Sequence, residues 1–151
     1  MRIEDEIVQE KFLNENHKTL VNLIYTHSYL INKMDSFFKH QGITRQQFNV
    51  LRILRGQHPK SANLGLIKER MLDKMSDASR IVERLRVKRL VTRRQSKTDR
   101  REVEIMISSK GLQMLEVTDV EIQEIYKLFD RLSHDELEQL NNLLDKLRNS
   151  Q

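Results

Sequence analysis

Cysteine is absent from this 151-residue chain, which excludes disulfides, thiolate metal sites and cysteine redox switches. Tryptophan is absent too. Aromatics at 5% beside charged residues at 32% suit helices with solvated outer faces better than a β-sandwich. No apolar run approaches the roughly 18 residues of a membrane span. The opening MRIEDEIVQE has no apolar signal core, so a cytoplasmic chain with no membrane partner is expected. A Gly-rich phosphate loop, a nucleophile elbow and an HExxH motif are all missing, so no catalytic residue is assigned and an enzyme is not expected. His17, His27, His40, His58 and His134 show no tight ligand spacing, and neither a metal nor a cofactor is expected.

What is present is charge with a direction. Between Gly42 and Gly111 stand 18 Lys and Arg against 7 Asp and Glu, while the flanks hold 9 against 15. A basic middle between acidic ends steers polyanions. The charge is densest in RRQSKTDRREVEI, residues 93–105. Five cations, Arg93, Arg94, Lys97, Arg100 and Arg101, precede a run in which Val103, Ile105 and Ile107 alternate with Glu104 and Met106. Alternation predicts a strand, and SKTD before it a turn. The cations therefore sit at a hairpin tip, where a solvated turn is the bland alternative to an anionic partner.

The rest of the chain reads as helix. A short helix is expected over 3–13 and a long one over 16–41, stopped by Gly42. Thr44 is a plausible cap for a helix ending near Gly56, and a short helix follows from Asn63 to Met71. In SDASRIVERLRVK, residues 76–88, Ala78, Ile81, Val82 and Leu85 form one buried stripe. Ser76, Arg80, Glu83, Arg84 and Val87 fall on the opposite face. After Gly111 a single apolar stripe runs through Leu112, Leu115, Ile122, Ile125, Phe129 and Leu132. Ser133 with Glu136 then forms a capping-box signature opening a last leucine-rich helix.

Helices followed by a two-stranded hairpin make a mainly α fold with a small β wing, the winged helix-turn-helix arrangement. Its second helix enters the major groove and its wing tip the minor groove, whose negative potential attracts Arg.

The stretch SDASRIVERLRVKRLVTRRQSKTDRREVEIMISSKG, residues 76–111, resembles the recognition helix and wing of MarR-type transcription regulators. The DRR at Asp99, Arg100 and Arg101, the alternating strand and the Lys-Gly at the next helix all match. The resemblance implies one domain over 1–151, with dimerisation helices at 1–41 and 112–151 around a winged region at 42–111. It implies a homodimer on a pseudo-palindromic site in double-stranded DNA, acting as a repressor. Ser76, Ser79, Arg80 and Arg84 would meet the major groove. Arg94, Lys97, Arg100 and Arg101 would serve the wing, oriented by Asp77 and Asp99. A small anionic or phenolic effector could lodge near His17, Tyr25 and Tyr29, where interface packing is the competing reading. Arg89 stands where the family usually has Gly, at a position that commonly needs positive φ. Either Arg89 adopts that conformation at a cost of order 1 kcal/mol, or the helix end is built differently. The family's wing proline is missing. The rival functions are a winged helix that binds protein and a non-specific DNA binder.

Overall fold

The computed structural model describes residues 2–96 and 103–149. The chain divides into two compact units, residues 1–45 and 46–151.

In the first unit, α1 (Ile3–Glu6) is a single turn and α2 (Glu15–His40) is long. The helix expected over 3–13 stops early. Its acidic first turn suits a helix N-terminus, but Ile7 ends it and Val8 turns to φ 54°. Asn14 caps α2 by accepting the His17 N–H. The Lys18 ammonium bonds Glu4 at 2.7 Å, and the Tyr25 hydroxyl donates to Glu6 at 2.6 Å, so α1 is tied to α2 twice.

The second unit opens with α3 (Arg45–Gln57), followed by α4 (Leu64–Arg70), α5 (Ala78–Val87), β1 (Val91–Gln95) and β2 (Val103–Ile107). The strands pair antiparallel, from Val91 opposite Ile107 to Gln95 opposite Val103. Ala62 adds an isolated bridge, exchanging two 2.8 Å backbone bonds with Ile105. The core is the apolar stripes of these elements: Val50, Leu51 and Leu54 from α3, Ile67 from α4, Val82 and Leu85 from α5, and Ile105 from β2 are all buried.

The next helix starts earlier than the apolar stripe suggests. Ser108 caps α6 (Ser109–Glu121) by accepting the Gly111 N–H. Beyond it the expected continuous helix breaks into α7 (Gln123–Tyr126) and a 3-10 turn at Lys127–Phe129. Val117, Thr118, Val120, Ile122 and Ile125 crowd this stretch. β-branched side chains lose rotamers in a helix, which lowers its propensity there. The last helix, α8 (His134–Arg148), carries the anticipated capping box, with Ser133 and Glu136 bonded reciprocally. None of its residues is buried. Among the described residues, no helix is long and apolar enough to cross a membrane.

Candidate nucleic-acid interface

The recognition-type helix is α5, and both of its ends are closed by its own sequence. Asp77 accepts the Arg80 N–H at 3.1 Å, satisfying an orphan donor of the first turn. At the other end the Arg89 N–H bonds the Arg86 carbonyl, and the Leu90 N–H bonds that of Leu85. Those two bonds define a Schellman motif, which places Arg89 in the left-handed region. Its φ is 61°. Arg89 therefore takes up the conformation its position demands, and the helix end keeps the geometry that glycine would give.

Ala78, Val82 and Leu85 are buried, so α5 can present only one face. That face carries Ser79, Arg80, Arg84 and Val87, all exposed. Neither Arg80 nor Arg84 has an ion-pair partner among the described residues. Arg86 is different: its guanidinium grips Glu83 through two bonds of 2.9 and 2.7 Å. Arg93 of β1 lies 3.8 Å from the same carboxylate. The Arg86 bonds, and the charge of both arginines, hold the Glu83 carboxyl below the usual carboxylate range. A shallow cleft of about 350 Å³ lies here between α5 and the hairpin, lined by Glu83, Arg86, Arg93, Arg94, Gln95 and Val103.

In the hairpin, Val91, Arg93 and Gln95 share one face, because side chains alternate along a strand. Val91 is buried, while Arg93 and Gln95 are exposed: the strands run past the core and become a wing. Arg94, on the other face, stands directly opposite Glu104 and bonds it at 2.9 Å. Lys97, Asp99, Arg100 and Arg101, the remaining expected wing residues, lie outside the described residues.

The wing root is fixed to α5 by the start of α6. The Ser108 hydroxyl donates to the Arg89 carbonyl at 2.8 Å and the Lys110 ammonium to the Lys88 carbonyl at 3.2 Å. Gly111 lets this approach happen, since a Cβ there would collide with the Leu90 carbonyl and stand 2.8 Å from an Ile107 side-chain carbon. Farther along α6, Asp119 accepts from Arg55 at 2.5 Å and from Arg52 at 3.4 Å, clasping α3.

The expected residues thus separate. Ser79, Arg80 and Arg84 come together on one exposed face. Ser76 is half-buried and its hydroxyl donates to Asp73 at 2.7 Å, which leaves it only acceptor capacity. Asp77 is occupied as the helix cap. His17, Tyr25 and Tyr29 lie along α2, in the other unit. His17 Nδ1 accepts the Leu13 N–H at 3.3 Å, and Tyr25 is bonded to Glu6, which raises its phenol. Sequence reasoning passed over the Ala62 bridge, the Asp119 clasp and the Ser108 and Lys110 ties. None has a local signature, because each joins residues far apart in the chain. Among the described residues, no three His, Asp or Glu are grouped so as to hold a metal ion.

A capped helix exposing arginines that are unpaired among the described residues, beside a two-stranded hairpin, defines a winged helix-turn-helix protein. Residues 41–102 match the family model described as the MarR family. Among solved structures, a MarR transcription factor from Planctomyces limnophilus is 26% identical, with a TM-score of 0.71 over 89% of this chain and 98% of that one. An organohalide-sensing transcriptional regulator in its 2,4-dichlorophenol-bound form is 19% identical, with a TM-score of 0.81 over 91% and 81%. The S. aureus MepR–DNA complex is 21% identical, with a TM-score of 0.75 over 91% and 97%. The latter two bear on the fold alone. A comparison with curated proteins finds no match. Residues 41–102 thus match the MarR family of transcription regulators, and most of the chain shares the fold of the solved structures above.

Proposed function

We propose that this protein is a cytoplasmic homodimeric repressor that reads a pseudo-palindromic DNA site. The observation that carries the reading is the exposed Ser79, Arg80 and Arg84 face of α5, unpaired among the described residues and set beside a basic wing. Lys and Arg on phosphates supply affinity, and Arg80 and Arg84 reach base edges, where Arg bonds guanine in bidentate fashion. The wing cations, Arg94 and the tip residues Lys97, Arg100 and Arg101, serve the minor groove and phosphates, with Asp99 orienting the tip. Residues 42–111 form the DNA-binding region; 1–41 and 112–151 form the dimer. Supporting the dimer, Leu20 and Ile24 on α2 and Leu143 and Leu147 on α8 are each more than half exposed. Such apolar faces are costly in water and call for a partner surface.

A relative of this fold binds 2,4-dichlorophenol. By analogy, a small phenolic or anionic effector would enter near His17, Tyr25 and Tyr29, and it would have to displace the Tyr25–Glu6 bond. The test of the main reading is selection of bound duplexes from a random library, with Arg80→Ala in parallel. Wild type is expected to enrich two half-sites about one helical turn apart. Arg80→Ala is expected to lose about 1–3 kcal/mol on that site and relax its preference. Retention without enrichment would leave a non-specific binder; no retention at low salt would favour a protein-binding module.

A further inference from the structure

The loop between α4 and α5 exposes two large apolar side chains in the middle of the basic region. Leu72 is 86% exposed and Met75 is 94% exposed. The loop is held from several sides. The Leu72 N–H donates to Asn49 of α3 at 3.0 Å. Asp73 accepts the Met75 N–H at 3.1 Å and the Ser76 hydroxyl at 2.7 Å, while its carbonyl accepts the Ser76 N–H at 3.3 Å. The tip is therefore a fixed turn. It presents Met75 two residues before Asp77, the cap of the helix expected to enter the major groove.

The chemistry of this tip disfavours a phosphate contact. Met75 has no donor. The carboxylates of Asp73 and Asp77 flank it and repel phosphate oxygens. The Lys74 ammonium is turned back onto the Glu69 carbonyl. If α5 lies in the groove, the tip meets base edges. The one apolar feature on a base edge there is the thymine methyl. A methionine thioether, unbranched and polarizable, fits such a contact without demanding one backbone position.

We propose that Met75 is a specificity-determining residue that packs against a thymine methyl in each half-site. This inference rests on the DNA-reading function proposed above. Its test uses the full-length protein and the operator enriched from the random library. Each thymine of a half-site is replaced in turn by deoxyuridine, which removes only the methyl, and Kd is measured for wild type and Met75→Ala. Wild type is expected to lose about fourfold at one thymine, the worth of one buried methyl group. Met75→Ala is expected to bind the thymine duplex about fourfold more weakly and to be indifferent to deoxyuridine at that position. The inference is overturned if Met75→Ala keeps the wild-type discrimination at every thymine, or weakens thymine and deoxyuridine duplexes equally. Leu72→Ala, at the other end of the turn, should leave the discrimination in place. If no sequence is enriched at all, the reading of function fails first and this inference falls with it.

Discussion

Arg89 carries a β-carbon in a conformation that suits glycine, and the rest of the helix end holds it there. The two Schellman bonds and the burial of Leu85 and Leu90 fix the turn, while the Arg89 side chain is exposed. Arg89→Gly is accordingly expected to raise stability by about 1 kcal/mol, the cost of a left-handed L-residue, read as a higher urea midpoint with unchanged slope. A shift the other way would show that the side chain contributes more than the strain removes. Gly111 is the reverse case. Gly111→Ala forces a carbon against the Leu90 backbone carbonyl, which cannot rotate away. It is expected to cost about 1–3 kcal/mol, as overpacking does, and to disturb the wing root with it. Glu4 sets an acid limit. Its bond from Lys18, then its backbone bond and the charges of Arg2 and Lys18, lower its pKa to about 2. Because the folded value lies below the ordinary one of 4.5, its contribution is complete above that pH and is lost as pH falls towards 2. Glu4→Gln should flatten this acid limb in a pH titration of stability, and an unchanged limb would remove Glu4 from the account.

At the scale of elements, helix ends decide more than helix middles. The α8 capping box holds Ser133 and Glu136 in reciprocal bonds, which also lower the Glu136 carboxyl. With no buried residue in α8, this helix depends on its cap more than a core helix would. Ser133→Ala is expected to cost about 1 kcal/mol, with faster hydrogen exchange confined to the first turns of α8. The elements that the sequence made legible are those with a complete local code. The 3.6 period of α5 came with one unbroken apolar stripe, and the period-2 run of β2 came with a turn before it. The fragmentation after α6 was not legible in the same way. Its apolar spacing stays helical while its β-branched residues favour a break, and packing chooses between them. Ala62 could not have been read as a strand partner either, since a single bridge leaves no periodicity.

At the scale of the whole molecule, the proposed function turns on charge and on apolar faces left uncovered. Roughly 6 to 10 phosphate contacts should weaken DNA binding about a thousandfold or more between 50 and 200 mM salt. A flat salt profile would point to a protein partner instead. For the proposed dimer, Leu143→Glu and Leu147→Glu together place two charges on the most exposed stripe of α8. The expected outcome is monomer by light scattering with the helical content retained; an intact dimer would move the interface elsewhere. DNA affinity should fall in parallel, because a monomer engages one half-site.

By itself the sequence determined the mainly helical class with its hairpin, the buried stripe of α5 and hence the face that carries Arg80 and Arg84. All of these follow from periodicity and charge over a few neighbouring residues. Only the tertiary structure decided which cations stand beside a carboxylate of the chain itself. Arg86 and Arg93 converge on Glu83, and Arg94 on Glu104, while Arg80 and Arg84 have no such partner among the described residues. It also decided that the hydroxyl of Ser76 turns into its own loop and leaves Met75 outside. The physical reason is range: burial on one helix face is a local property, whereas pairing a charge depends on which distant residue the fold brings within a few ångströms.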